Sequence, residues 1–126
     1  KKRGFENLIL KKVKQHNISI ICLAGYMKIL SKIFIRKFAI PIINIHPSLL
    51  PKYKGLNTYE RILKNKEKKA GCTVHYVNEK LDNGKTIIQK FFFIKSGDKK
   101  INLKNKTQQL EQRAFPEAII KIFRYN

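Results

Sequence analysis

The residues best suited to chemistry lie in one stretch, NIHPSLLPKYKG, from Asn44 to Gly55. Asn44 and His46 close a short apolar run that predicts a buried strand, Pro41–Ile45. Because side chains alternate along a strand, both residues point to one face, and Pro47 keeps His46 out of the helical conformation. An amide N–H beside a protonated imidazole can stabilise an oxyanion, and imidazole titrates near neutral pH. The spacing alone leaves a second interpretation open, a hydrogen-bonded core histidine beside a turn-forming asparagine.

A carboxylate is the usual partner that orients such a histidine. The two aspartates are Asp98, in a surface-turn pattern (SGDKK), and Asp82, in KLDNGK between two strand-like runs. Asp82 is therefore the candidate, although Asp-Asn-Gly is also good turn chemistry. His75 in TVHYV is either a second site histidine or a half-buried strand residue, and His16 is predicted to be a solvated helix end.

Metal and phosphate-loop chemistry have no pattern in this sequence. Its three His and two Cys show no ligand spacing, so we predict no metal site. Its six Gly are scattered and form neither a dinucleotide-binding nor a Walker pattern. Cys22 and Cys72 are predicted to be buried thiols of a reduced, cytoplasmic protein.

The composition predicts one compact domain, spanning residues 1–126, with a strong basic excess. The net charge is +20, from 28 Lys and Arg against 8 Asp and Glu. Such an excess favours an anionic partner such as nucleic acid. The lysines are spread evenly among abundant Ile and Asn, however, which favours compositional drift and no specific nucleic-acid partner. No apolar run reaches the ~18 residues of a membrane span, so no membrane association is expected.

The hydrophobic periodicity predicts a helix–strand–helix–strand–helix–strand–strand–helix order. The final helix is expected to bend or restart near Pro116. This order indicates an α/β fold, a mostly parallel open sheet with flanking helices, and antiparallel strands toward the C-terminus. The predicted elements are helices at Phe5–His16, Leu30–Phe38, Asn57–Lys66 and Ile101–Phe123, and strands at Ile18–Gly25, Pro41–Ile45, Cys72–Val77 and Thr86–Ile94.

Two motifs closely resemble the phosphoribosylglycinamide formyltransferase (GAR transformylase) family. They are NIHPSLLP, starting at Asn44, and GCTVHYVNEKLDNG, starting at Gly71. LAGYMKILS upstream and LEQRAFPEAI downstream are similar to the same family, so the resemblance spans nearly the whole chain. It implies the Rossmann-like formyltransferase fold and a formyl transfer from 10-formyltetrahydrofolate to the amine of glycinamide ribonucleotide (GAR). It also favours the catalytic interpretation of the Asn, His and Asp residues.

The resemblance implies a role for each of these residues. Asn44 and His46 would hydrogen-bond the oxyanion of the tetrahedral intermediate. Asp82 would keep His46 protonated and manage proton transfer, and His75 would support the site.

Substrate contacts carry over from the family as well. GAR would be bound by Gln108 and Glu111. Lys28 replaces an Arg that is common in the family, and Asn57 stands where many members have His. The folate-binding segments would comprise Met27, Lys28, Ile29, Leu30, Asn78, Glu79, Leu81 and Asp82.

Family members begin with a further αβ portion that carries a Gly-rich phosphate loop. We therefore expect this chain to be the C-terminal catalytic part of a truncated enzyme, with the N-terminal strands missing. Whether it acts as a monomer or a homodimer stays open.

Alternative functions are methionyl-tRNA formyltransferase, formyltetrahydrofolate deformylase, or a non-catalytic basic RNA-binding module. The tRNA enzyme usually has Arg-Gly after its SLLP run, and the deformylase typically has His in place of Pro47. The chain also lacks the clustered aromatics of RRM-type modules.

Overall fold

The computed structural model describes residues 2–24, 31, 35, 40–78, 80 and 82–124. Three helices and four strands are assigned among these residues. In chain order they are α1 (Lys2–His16), β1 (Ile21–Ala24), β2 (Ile42–His46), α2 (Thr58–Lys64), β3 (Lys69–Tyr76), β4 (Thr86–Phe93) and α3 (Lys100–Arg124).

The four strands form one sheet in the order β1-β2-β3-β4. β1 and β2 pair in parallel, whereas β2–β3 and β3–β4 pair antiparallel. The predicted sheet, parallel at first and antiparallel later, is confirmed. The described sheet is mixed because the short connection from β3 to β4 allows only an antiparallel return.

The two faces of the central strands β2 and β3 differ in chemistry. On one face the strand residues pack against α3, whose small Ala114 and Ala118 let the helix approach the sheet closely. Ile42, at the start of the other face, packs near Ile9 and Leu10 of α1. Helices therefore flank the sheet on both sides. The apolar face toward α3 comprises Ile43, Ile45, Cys72 and Val74.

α3 runs as one helix with Pro116 inside it, so the predicted restart does not occur. Pro116 cannot donate the usual backbone hydrogen bond. The buried residues Ala114, Ala118 and Ile122 surround that position, and their packing on the sheet outweighs the lost bond.

The predicted helix Leu30–Phe38 lies outside the described residues except for Ser31 and Ile35. Ile35 donates a backbone hydrogen bond to the Ser31 carbonyl at 3.1 Å. The buried carboxylate of Glu6 on α1 accepts hydrogen bonds from the Ser31 amide at 2.9 Å and the Ser31 hydroxyl at 2.5 Å. Glu6 thereby fastens α1 to the segment after β1.

β4 forms one edge of the described sheet and exposes two aromatic rings. Phe91 and Phe93 are 50% and 64% exposed, and their centroids lie 5.6 Å apart, edge to face. The Lys69 ammonium lies 4.5 Å from the Phe91 centroid and 5.6 Å from that of Phe93. A cation therefore covers the aromatic part of this edge.

Candidate active site

Asn44 and His46 lie on the same face of β2, as the strand alternation predicts. Both side chains are buried, and His46 is fully so at 0% exposure. Their direct partners on the neighbouring strand β3 are His75 and Thr73. The two predicted residues therefore share one polar face with a third, His75, whose supporting position was also predicted.

Asp82 reaches this face from the turn between β3 and β4. Its backbone φ is +48°, in the left-handed region that Asp tolerates better than most residues. Asp82 Oδ2 lies 3.3 Å from His46 Nδ1, and Oδ1 lies 3.8 Å from His75 Nε2. Gly55, at φ +82°, donates its backbone N–H to Oδ2 at 2.8 Å. The structure thus brings Asp82 and both histidines together.

The remaining nitrogen of each histidine faces a backbone carbonyl. His46 Nε2 lies 2.8 Å from the Tyr53 oxygen, and His75 Nδ1 lies 2.9 Å from the Tyr76 oxygen. A carbonyl only accepts, so each of these nitrogens carries a proton. The opposite nitrogen of each ring is then directed at Asp82. The lone pairs of His46 Nδ1 and His75 Nε2 repel the negative carboxylate of Asp82. A further proton placed between a ring nitrogen and the carboxylate relieves this repulsion.

Burial lowers the pKa of His46 below its usual value. The Tyr53 carbonyl and the Asp82 carboxylate oppose this by favouring the charged ring, whereas His75 and Arg61 add to the lowering. Asp82 therefore acts in the direction that its predicted role requires, but desolvation outweighs it. The ring holds its second proton less tightly than a free imidazole does, which suits a group that must release it.

Unsatisfied polar atoms concentrate at this site. Within the part of the chain that the structure describes, five buried side-chain nitrogen or oxygen atoms have no hydrogen-bond partner. Three of them are Asn44 Oδ1, His46 Nδ1 and His75 Nε2. Each such atom costs about 1–3 kcal/mol, and in native proteins such atoms need a functional or structural reason. Their clustering around Asp82 makes the polar face the candidate site for binding or reaction.

The other predicted site residues fall into two groups. Met27, Lys28, Ile29, Leu30, Glu79 and Leu81 lie outside the described residues. Asn78, Gln108 and Glu111 are described. Asn78 accepts a hydrogen bond from the Lys80 amide at 2.9 Å. Gln108 is exposed on α3, while Glu111 is half-buried near Tyr59 and Cys72, and burial raises its carboxyl pKa.

Sequence reasoning missed the backbone groups that hold the site, the Tyr53 carbonyl and the Gly55 amide. Every residue type carries such groups, so no residue-type signal marks them. A weak signal existed at Gly55, where a left-handed backbone favours glycine.

Comparison with known proteins identifies the family of this chain. The formyl transferase family model matches residues 1–119. The chain is 44% identical over 106 residues to phosphoribosylglycinamide formyltransferase of Haemophilus influenzae, covering 84% of this chain and 50% of that enzyme. It is 40% identical over 115 residues to the trifunctional purine biosynthetic protein adenosine-3 of Gallus gallus, covering 91% of this chain and 12% of that protein.

A solved structure shows the same architecture. The chain superimposes on phosphoribosylglycinamide formyltransferase from Bacillus halodurans with a TM-score of 0.89 at 34% identity, covering 97% of this chain and 63% of that one. The chain thus spans less than two thirds of the length of these relatives. The fold is the Rossmann-like fold of formyltransferases. The chain belongs to the formyl transferase family. The resemblance to phosphoribosylglycinamide formyltransferases is confirmed.

Neither a membrane-spanning helix nor a metal-binding cluster is found in the described ranges. No helix there is long and apolar enough to cross a bilayer. No group of three or more His, Cys, Asp and Glu side chains there is arranged to hold a metal ion.

Proposed function

We propose that this chain carries the catalytic residues of a glycinamide ribonucleotide formyltransferase of purine biosynthesis. The supporting observation is the contact between His46 Nδ1 and Asp82 at 3.3 Å, on the face that also carries Asn44. The family match and the names of the relatives support the choice of substrates. The one-carbon donor is 10-formyltetrahydrofolate, and the acceptor is the primary amine of GAR.

The reaction begins when the amine nitrogen attacks the formyl carbon. A C–N bond forms, and the carbonyl electron pair moves to oxygen. The Asn44 amide and the protonated Nδ1 of His46 donate hydrogen bonds to this oxyanion. Nδ1 carries a proton only when His46 is the imidazolium, because the neutral ring keeps its proton on Nε2 against the Tyr53 carbonyl. Since Nδ1 has no hydrogen-bond partner in the structure, the imidazolium can donate this proton to the substrate oxygen.

The amine proton then passes to Asp82, directly or through a solvent molecule. The tetrahedral centre collapses, the bond from carbon to N10 of the folate breaks, and N10 takes up a proton. Asp82 is suited to this exchange because it faces His46 and His75 and is held in place by the Gly55 amide.

Substrate binding is assigned to the segments identified by the family resemblance. The folate would bind at residues 27–30 and at the turn that ends in Asp82. Glu111 and Gln108, three positions apart on α3, would bind the ribose of GAR. The half-buried Glu111 carboxylate is a suitable acceptor for ribose hydroxyls.

The test is a formyl-transfer assay with GAR and 10-formyltetrahydrofolate. It is run on the 126-residue chain and on the chain joined to the N-terminal part of the Haemophilus influenzae enzyme. We expect turnover from the joined protein. The chain alone should be slower by on the order of 10³-fold or more if, as the family resemblance implies, about three hydrogen bonds to the phosphate come from the N-terminal part. Full activity of the chain alone would mean that its own residues recognise the phosphate.

Two further acceptors test the assignment of GAR. Methionyl-tRNA and water replace GAR under the same conditions. Formylation of tRNA, together with tRNA binding that survives ~0.2 M salt, would replace the GAR assignment by the tRNA enzyme. Release of formate in the absence of GAR would indicate a deformylase.

A further inference from the structure

The loop after β2 is fastened to the sheet by a side chain that the proposed chemistry does not use. The Thr73 hydroxyl, fully buried on β3, donates to the Ser48 carbonyl at 2.7 Å. The same oxygen accepts the Leu50 amide at 3.1 Å. Thr73 is also the direct cross-strand partner of His46. One hydroxyl therefore holds two points of the loop beside the histidine.

Gln89 on β4 completes the hydrogen bonding of that hydroxyl. Its amide donates to Thr73 Oγ1 at 2.9 Å and to the Leu50 carbonyl at 2.8 Å. Thr73 Oγ1 thus makes one donated and two accepted bonds, the full capacity of a hydroxyl. His46, Thr73 and Gln89 are register partners on three adjacent strands and form one row across the sheet.

The far end of the same loop returns to His46. The Ser48 hydroxyl donates to the Lys52 carbonyl at 2.6 Å, which closes the loop over residues 48–52. The next carbonyl, that of Tyr53, is the one that accepts the proton of His46 Nε2 at 2.8 Å. The position of the Tyr53 carbonyl therefore depends on the bonds that Thr73 and Gln89 make to the loop.

We propose that Thr73 and Gln89 are positioning residues that set the tautomer of His46 through the loop of residues 48–53. The hydrogen bond at one imidazole nitrogen decides which nitrogen carries the proton. With Nε2 protonated against Tyr53, Nδ1 remains directed at Asp82 for proton exchange. The catalytic meaning rests on the proposed function, whereas the tautomer is a property of the fold and is measured separately.

The test uses ¹⁵N NMR of histidine-labelled chain, in which only three residues, His16, His46 and His75, give signals. In the unsubstituted chain we expect neutral His46 to carry its proton on Nε2. Thr73→Val keeps the shape of the side chain but removes the hydroxyl. We expect it to shift His46 toward the Nδ1–H form by about 2- to 10-fold, the effect of one hydrogen bond.

Three further variants complete the design. Thr73→Ser retains the hydroxyl and should restore the original tautomer ratio. Gln89→Leu, at an exposed position, should shift His46 in the same direction but by less. Thr107→Val replaces an equally buried threonine on α3 and should leave His46 unchanged. His75, held by the Tyr76 carbonyl, should keep its tautomer in all three.

A proton on Nδ1 of neutral His46 in the unsubstituted chain would overturn the proposal. So would an unchanged His46 in folded Thr73→Val. If that variant does not fold, an unchanged His46 in Gln89→Leu would overturn it as well. The tautomer needs no turnover, so failure of the formyl-transfer assay leaves this result interpretable. If the tautomer shift and the formyl-transfer activity are both observed, Thr73→Val should also shift the pH profile of kcat, whereas Thr107→Val should not.

Discussion

The two faces of β2 and β3 are one residue apart in sequence but opposite in physical character. Ile43, Ile45 and Val74 are buried against α3 in a dry apolar layer. Asn44, His46 and His75 are equally buried, yet each carries an atom without a hydrogen-bond partner. Packing of the apolar face stabilises the sheet. Burial of polar groups without partners on the other face is unfavourable, and the packing offsets that cost. Substitutions on the two faces should therefore separate activity from stability.

The largest effect is expected from the polar face. In the joined, active protein, His46→Ala or Asp82→Asn should lower kcat by ~10²–10⁴, because an oxyanion donor or a proton-transfer group is lost. Substrate binding should change far less, and so should the unfolding free energy of Asp82→Asn, which keeps the volume of the side chain. Asp98→Asn, in the turn before α3, is the matched control and should retain kcat. Near-full kcat with saturating substrates in either site variant would refute the assigned roles.

The apolar face should show the reverse. Ile43→Ala should lower the unfolding free energy by ~2–5 kcal/mol, since a fully buried side chain leaves a cavity. The kcat of the folded protein should stay within a few-fold. Ile101→Ala, at 57% exposure, should change stability by less than about 0.5 kcal/mol. Urea unfolding of both variants provides the comparison, and equal effects would mean that Ile43 does not belong to the core.

Alanine substitutions at two glycines, Gly84 and Gly4, test the turn that positions Asp82 on the polar face. A Cβ at Gly84 would lie 1.5 Å from the Tyr76 carbonyl oxygen, so Gly84→Ala must displace the turn. We expect a loss of ~1–3 kcal/mol in stability, together with a changed His46 titration. Gly4→Ala on α1 meets no atom within 4 Å and should stabilise by ~0.5–1 kcal/mol. Equal stability changes for both variants would contradict the close approach at Gly84.

The smallest effects are those of pH, and they should run in opposite directions for two groups. The pKa of His46 is lowered on folding, so the unfolded chain binds more protons just below pH ~6.5, and stability falls as the pH drops through this window. The pKa of Glu111 is raised, so the folded chain binds more protons above pH ~4.3, and stability falls as the pH rises there.

Stability curves of two variants test these signs. His46→Gln should reduce the loss of unfolding free energy as the pH falls. Glu111→Gln should raise the unfolding free energy near pH 7 by less than about 1 kcal/mol and should weaken GAR binding. Unaltered slopes in both variants would show that these groups do not titrate differently on folding.

The sequence predicted the polar face of β2 because strand alternation and Pro47 are local properties. The order of the elements that the structure describes was predicted for the same reason. Neither the row of His46, Thr73 and Gln89 nor the Tyr53 contact was predicted, since strand register and backbone acceptors leave no residue-type pattern. The contact between Asp82 and His46 was predicted only through the family resemblance, because the two residues lie 36 positions apart and turn chemistry explained Asp82 equally well.

The exposed edge of β4 bears on how this protein behaves at high concentration. Among the described residues, no further strand pairs with the outer edge of β4, which carries Phe91 and Phe93, and such an edge is a template on which another chain can dock by strand pairing. Lys69, seated over both rings, and the net charge of +20 keep copies apart by mutual repulsion. Because that repulsion reaches ~10 Å at 0.1 M salt but only ~3 Å at 1 M, colloidal stability should decline as ionic strength rises.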